Sequence, residues 1–457
     1  MENDDGAAVE GRDAGSVGTV APVAVPVVVL GAGFVGLASA VSLAIAGYTG
    51  IVVTDTNAHR VADHCARIAS GGDPLSEPGM GEALSRGGVR IADTADLSGA
   101  VVICAVGTPI ASDGMGIDDR YVLAAAHAAA RAGAALFVVR STVTPRTIGP
   151  VRRALGAVPL VVVPEFLREG HAVYDASFPS RCVVGADDPA WVEWARHAFG
   201  SRCQTFPMSP EEAALVKISA NTALSVRAWL ANAVGDLAAA IPGGDARRVL
   251  QAVYADARLG APGTPGLGAG GPCLPKDTAA FSSLIPGERV VREVREEHRS
   301  APVTFAHRVR RWLPRGRQHL FAVAGVGFKP DSCDWRDSPV VELVVHMLLC
   351  GERVHLRDDR LSDGEWAALA QHVNDSLPHG SADRLTHGPV WPRNPDVIVL
   401  ATDADRRTVG RHGQIEAVCG FPLEVGVVIA DPYALLTAED RGRLPLGQQY
   451  VGGGVGV

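Results

Sequence analysis

Two doubly wound parallel-sheet α/β domains joined by a long central helix are the fold this sequence predicts. Three observations carry the prediction. A glycine-punctuated turn follows an apolar strand near the N-terminus and opens an alanine-rich helix. Residues 210–241 hold little but helix-forming sequence. Strand, glycine turn and helix then begin again at Leu320. Short apolar strands alternating with helical segments are buried on both faces, as in a parallel doubly wound sheet.

Residues 1–22, rich in Gly, Ala and acids without periodicity, are expected to be a disordered tail. The first sheet domain spans 23–208. Residues 25–30 form its first strand, residues 38–46 a helix ended at Gly47, and residues 51–54 the next strand. Further strands are expected at 101–106, 136–139, 160–163 and 182–184. At Ser209 the texture changes. Ser209-Pro-Glu-Glu supplies a cap, an N1 proline and two early acids, so one long helix starts there. Such a helix suits a spine and dimer surface, with a buried core helix the alternative. Residues 209–300 form this central segment, including a Gly/Pro-rich loop over 259–275 of the kind that is more often functional than not. Residues 301–317 are expected to be a linker, basic and solvated from 308. The second domain covers 318–445, with later strands at 397–401 and 427–429, and 446–457 is a loose end.

The 457 residues are 47% hydrophobic, enough for two or three domains with ample core. A net charge of −8 argues against nucleic acid as the main partner. The acidic start is wrong for a signal peptide, and no apolar run approaches the ~20 residues of a membrane helix. Cys65, Cys104, Cys182, Cys203, Cys273, Cys333, Cys350 and Cys419 are scattered without a C-x-x-C pair. That argues against a metal site and for a reduced, cytosolic protein.

Gly31-Ala-Gly33-Phe34-Val35-Gly36 between strand and helix lets backbone approach a pyrophosphate at a helix N-terminus. Asp55, 19 residues after Gly36, ends the next strand, where a carboxylate binds ribose hydroxyls and repels a 2′-phosphate. NAD is therefore the expected cofactor. Arg60 is placed to cover the adenine or a phosphate. Thr108, in Val-Gly-Thr-Pro, and Ser141-Thr142 end later strands, where ligands bind in such sheets. Glu165, Phe166, Leu167, Arg168 and Glu169 occupy a third strand end, where a carboxylate can activate water. Lys217 and Asn221 lie four apart on the long helix, hence on one face, and such a pair can bind an oxygen gaining negative charge. Asn232 is a further polar contact. Cys273, in Gly270-Gly-Pro-Cys-Leu-Pro-Lys276-Asp277, is held on a loop and can capture an aldehyde covalently so that a second hydride leaves.

Taken in order, these motifs resemble the UDP-glucose/GDP-mannose dehydrogenase family from about Val25 to Ser338. Glu77-Pro-Gly, Gly325-Val-Gly-Phe-Lys-Pro and Asp334-Trp-Arg-Asp-Ser-Pro339 belong to the same series. The resemblance implies two Rossmann-like domains, two NAD per turnover, a nucleotide-sugar substrate oxidised at C6, and a homodimer or larger assembly. It implies that Cys273 forms a thiohemiacetal and then a thioester. Lys217, Asn221 and a water held by Asp277 stabilise the oxyanions, and Thr142 and Glu169 position and activate water, with Glu169 the hydrolytic base. The Glu165–Leu167 backbone, Arg168 and Gly270 line the sugar site, and Arg258 reaches the neighbouring subunit's. Lys329 contacts nucleotide phosphates, while Lys276 and Arg336 lie by the cofactor. A cation beside Cys273 is expected to favour its thiolate. The sequence departs from the family at Ala233, Pro272 and Leu274 and lacks an arginine near Asp431-Pro-Tyr. UDP-glucose is the first expected substrate, with GDP-mannose or another NDP-hexose the alternative. Lys276 argues against the N-acetylhexosamine branches. Two readings compete: a two-electron hydroxy-acid dehydrogenase, and an NAD-binding regulatory homologue without activity.

Overall fold

The computed structural model describes residues 25–401, 427–433 and 449–452, apart from 113, 115, 330, 331, 333, 359, 379–381, 389, 390 and 393. The tail expected at 1–22 and Cys419 lie outside the described residues.

The first sheet holds β1 (Val27–Leu30), β2 (Ile51–Thr54), β3 (Arg90–Ala92), β4 (Val101–Cys104), β5 (Leu136–Val139), β6 (Leu160–Val162), β7 (Cys182–Ala186) and β8 (Thr205–Met208), in the order β3-β2-β1-β4-β5-β6-β7-β8. Alternation decides its packing. Val27 and Val29 enter the core on one face, Val28 the core on the other, so helices cover both. Pairing is parallel as expected, except that β7 runs antiparallel to β6, with β8 parallel to β7. The β6–β7 connection carries only a six-residue helix, Ala172–Ser177, and an antiparallel return needs no full crossover.

β1 pairs with β2 on one side and β4 on the other, so the strand order reverses there and opens a crevice at the carboxyl ends. The second sheet repeats this plan. It holds β9 (Leu320–Ala324), β10 (Arg353–Arg357), β11 (Leu385–His387), β12 (Val397–Leu400), β13 (Val428–Asp431) and β14 (Gln449–Gly452), in the order β11-β10-β9-β12-β13-β14, all parallel. Residues 449–452, expected in the loose end, instead complete this sheet, because β13 offers them a parallel edge.

The long helix, Pro210–Ala239, starts at a full capping box. Ser209 Oγ accepts from Glu212 N, and the Glu212 carboxylate accepts from Ser209 N at 2.8 Å. Its buried stripe, Ala214, Lys217, Ile218, Asn221 and Ser225, repeats every three or four residues and faces the helix Leu274–Leu284 and the first sheet. The linker expected from 301 is helical to Arg310. The helix Val290–Arg310 runs through Pro302, and Arg308 pairs with Asp236 at 2.6 Å instead of lying solvated. Burial of Phe305, Ala306 and Val309 in the second domain's core outweighs the proline's missing donor.

Candidate active site

The dinucleotide loop is shaped by three glycines that do different work. Gly31 has φ +106°, and a Cβ there would lie 2.4 Å from the Ala105 carbonyl oxygen. A Cβ on Gly36 would lie 1.8 Å from the Gly31 oxygen, so the helix that Phe34 and Val35 open can abut the turn. Gly33 has nothing within 4 Å of its Cβ position, so its backbone faces open space. Asp55 ties this loop to β2: one oxygen accepts from Ala32 N at 2.8 Å and the other from Asn57 N at 2.9 Å. Burial pushes its pKa up, but these N–H groups and the Arg60 guanidinium at 3.0 Å more than offset that, so the carboxylate titrates below its ordinary value. A backbone cradle with an ionised carboxylate at the ribose position fits NAD. At neighbouring strand ends Thr108 is buried and Thr142 half-buried. Ser141 Oγ donates to the Val106 carbonyl at 2.7 Å and joins the two ends.

A charged cluster lies between β6, the long helix and the cysteine loop. Lys217 Nζ donates to the Glu165 carboxylate at 2.8 Å and to its carbonyl at 2.9 Å. Both side chains are 8% exposed. Burial alone would neutralise each, yet the partner wins: the Lys217 pKa is raised and the Glu165 pKa lowered, with Leu167 N and Arg140 also stabilising the carboxylate. Asn221 Nδ2 donates to one Asp277 oxygen at 2.5 Å, and Lys276 Nζ to the other at 2.6 Å. Phe166 floors the cluster, its ring centre 5.7 Å from Lys217 Nζ.

Cys273 stands at the N-cap position of the helix Leu274–Leu284, makes no side-chain capping bond and is exposed. It is close enough to Lys217 for each to shift the other's protonation. The expected thiolate bias is not found. Desolvation by the surrounding cleft walls raises the thiol's pKa above its ordinary value, and Asp277 and Glu165 add to that against the lowering by Lys217 and Lys276. Of the nearby charges Lys217 acts most strongly on the sulfur, but its lowering does not offset the desolvation.

Other expected residues stand outside this cluster. The Glu169 carboxylate accepts from Ser332 Oγ at 2.7 Å, and its carbonyl accepts from Lys329 Nζ at 2.9 Å, so this residue joins the two sheet domains. Arg336 holds Asp334 and lies near enough to Glu169 to feel its charge. Arg168 is paired with Asp175, and Arg258, 88% exposed, with Asp256. Lys276, expected at the cofactor, pairs with Asp277. At Gly270 a Cβ would meet the Asp337 carbonyl oxygen at 2.4 Å, so the cysteine loop lies directly on the second domain. Asn232 Oδ1 accepts from Gly266 N at 2.7 Å.

Sequence reasoning counted Glu165 among the strand-end carboxylates that can activate water and gave its backbone a place at the sugar, but it did not pair it with Lys217, and it missed Arg140. That guanidinium is buried. It donates to Ser39 Oγ at 3.1 Å and the Val163 carbonyl at 3.2 Å, and it lies 4.3 Å over the Phe199 ring. Its place just before Ser141-Thr142 at a strand end was the available signal. Glu77, noted only as part of a motif, accepts from Gly170 N at 2.7 Å and Ala172 N at 3.2 Å and so fixes the Glu169 turn.

A dinucleotide cradle at the first switch point, with a lysine–asparagine pair in the adjoining cleft, is the arrangement of an NAD-dependent dehydrogenase. Comparison with known proteins narrows the class. The model for the "UDP-glucose/GDP-mannose dehydrogenase family, NAD binding domain" matches residues 25–201, and that for the family's central domain matches residues 211–300. The UDP-glucose 6-dehydrogenase AglM of Haloferax volcanii is 30% identical over 82% of this chain and 91% of its own length. The GDP-mannose 6-dehydrogenase of Azotobacter vinelandii is 28% identical over 83% and 91%. A UDP-glucose dehydrogenase from Pyrobaculum islandicum superposes with a TM-score of 0.76 at 28% identity, covering 94% of this chain and 98% of that one. The chain belongs to the UDP-glucose/GDP-mannose dehydrogenase family, and its N-terminal domain is that family's NAD-binding domain. Among the described residues no helix is long and apolar enough to cross a membrane.

Proposed function

We propose that this chain catalyses the NAD-dependent four-electron oxidation of the C6 hydroxymethyl of a nucleotide sugar to a carboxylate, UDP-glucose to UDP-glucuronate. The observation that carries the reading is the junction of Asn221 with Asp277, whose backbone N–H donates to the Cys273 carbonyl at 3.0 Å, on the helix face that also carries Lys217. Bound NAD supplies the acceptor for one hydride in each of two oxidations. In the first, C6 loses a hydride and its hydroxyl proton and becomes an aldehyde. Cys273 Sγ adds to that carbon, giving a thiohemiacetal that cannot diffuse away. Loss of the second hydride gives a thioester, and water cleaves it to carboxylate and free thiol. The sum is one alcohol, one water and two NAD giving carboxylate, two NADH and three protons. Lys217 and Asn221 stabilise the negative oxygen at each stage.

The ion pair with Lys217 favours Glu165 over Glu169 as the candidate hydrolytic base. Glu165 is ionised inside the cluster, whereas the carboxylate of Glu169 is held by Ser332. Thr142 remains a candidate for positioning the water. Arg168, Gly270 and Lys329 remain candidates for the sugar and phosphates. Large apolar side chains exposed along the long helix, Leu215, Leu224, Leu230 and Leu237, support a homodimer, in which exposed Arg258 would meet the partner's site. The described cysteines are unpaired, which suits a reduced cytosolic setting. The similar match to a GDP-mannose enzyme, together with Leu274, keeps GDP-mannose as the second substrate reading.

The test is to supply NAD with limiting UDP-glucose, GDP-mannose or UDP-N-acetylhexosamines in turn and count NADH per sugar. Two NADH from UDP-glucose is the expected result. One NADH would overturn the thioester mechanism in favour of a two-electron dehydrogenase, and none with any sugar would favour the regulatory homologue.

A further inference from the structure

His298 is a buried histidine, 6% exposed, on the helix Val290–Arg310, outside the cluster just described. Its two ring nitrogens face two different elements. Nδ1 lies 3.1 Å from the backbone N–H of Ala269, in the cysteine loop. Nε2 lies 2.9 Å from the carbonyl of Ser225, on the long helix. An N–H on one side and a carbonyl on the other leave one protonation state, with the proton on Nε2 and the lone pair on Nδ1. Ser225 is one turn beyond Asn221 on the same buried stripe. The ring therefore bridges the helix that carries Lys217 and Asn221 to the loop that carries Cys273. Ala269 is four residues from that cysteine.

The loop lies close against the helix Val290–Arg310 at His298. Gly268 has φ +105°, and a Cβ there would stand 2.6 Å from the His298 carbonyl oxygen. Two further loop N–H groups are tied to other elements: Gly266 to Asn232 Oδ1 at 2.7 Å, and Gly271 to the Asp337 carbonyl at 2.9 Å. The loop is thus fastened at intervals of two or three residues to the long helix, to His298 and to the second domain. A glycine- and proline-rich segment has little rigidity of its own, so these fastenings set where the thiol lies.

We infer that His298 is a positioning residue that sets the place of Cys273 against Lys217 and Asn221, with its Nδ1 lone pair the group that holds the loop. Burial also lowers the pKa of the ring, which keeps it in the neutral form that this bond needs. The inference rests on the proposed role of Cys273, but the experiment below uses no sugar.

Asparagine and glutamine separate the two bonds. His298→Asn puts an amide oxygen where Nδ1 stands and keeps the acceptor for Ala269. His298→Gln reaches the Nε2 position and keeps the donor to Ser225. The full-length protein and its His298→Asn, His298→Gln and His298→Ala variants are treated with iodoacetamide. The alkylation rate of the peptide bearing Cys273 is followed by mass spectrometry, with NAD affinity and Tm measured alongside. The Asn variant should react as the parent does. The Gln and Ala variants should react roughly threefold faster, as the thiol leaves its desolvated place and its thiolate fraction rises. NAD affinity should hold in all of them. Equal rates in the Asn and Gln variants, or an equal fall in NAD affinity throughout, would overturn the inference and leave His298 a core residue only. If the Ala variant does not fold, the Asn–Gln comparison decides alone. Failure to oxidise any sugar would overturn the proposed activity without touching this comparison.

Discussion

At the scale of single residues, the site is governed by which charges are already spent on each other. Lys217 and Glu165 are buried together, so removing one leaves the other ionised in a poor solvent. Lys217→Met should lower the unfolding free energy by about 3–5 kcal/mol and abolish oxidation. Lys217→Met with Glu165→Gln should recover most of the stability and none of the activity. Denaturant unfolding of the three variants checks this, and a double variant no more stable than Lys217→Met would contradict the pairing. Cys273 is the second case. With its pKa raised, the thiol is protonated at neutral pH, and its alkylation should accelerate only above the ordinary cysteine range, later than in an unfolded peptide. A half-maximal rate below that range would show that Lys217 dominates after all. The lysine–asparagine pair was legible because a spacing of four fixes one helix face. The carboxylate that neutralises the lysine was not, because it lies 52 positions away and only the fold brings it close. The thiolate expectation failed for a related reason. Adjacent cations can be read from a sequence, but desolvation and the carboxylates facing a thiol cannot.

At the scale of elements, local sequence decided most of what was legible. The Ser209–Glu212 capping box and the alternating apolar strands specify their structures without tertiary help. The exceptions show where that influence ends. Pro302 marks a helix boundary by local rules, yet the helix Val290–Arg310 continues because its apolar face is buried against β9. The direction of β7 has no local signature at all. The three glycines of the first loop turn this distinction into a prediction. Gly31→Ala and Gly36→Ala meet backbone at 2.4 and 1.8 Å and should lower both Tm and NAD affinity. Gly33→Ala meets nothing within 4 Å in the protein, so Tm should hold while NAD affinity falls by about tenfold or more, because the methyl occupies space the pyrophosphate needs. Calorimetric titration with NAD and thermal melts of the three variants check it. Unchanged NAD affinity in Gly33→Ala would mean that the cofactor does not cross the loop there.

At the scale of the whole molecule, the cleft is closed by the second domain, and the closing contacts fall on the segments that carry the chemistry. Ser332 and Lys329, beyond β9, hold Glu169, while the backbone of Asp337 holds Gly271 two residues before Cys273. A parallel sheet opens its ligand crevice at the carboxyl end of the strand where the order reverses. β1 and β9 are those strands in the two sheets, so each sheet offers one such crevice. NAD is expected in the first crevice, and the nucleotide of the sugar against the second. The two ligands should therefore respond differently when the domain contact is weakened. Ser332→Ala removes a hydrogen bond to a carboxylate from a side chain 3% exposed, which should cost roughly 2 kcal/mol of contact between the domains. KM for the nucleotide sugar should then rise by several-fold while NAD affinity stays as it was. Lys329→Met, which removes both a cation and the tie to the Glu169 carbonyl, should raise that KM further. A loss of NAD affinity as large as the rise in sugar KM would place both ligands on the first domain and leave the second a support for the cysteine loop.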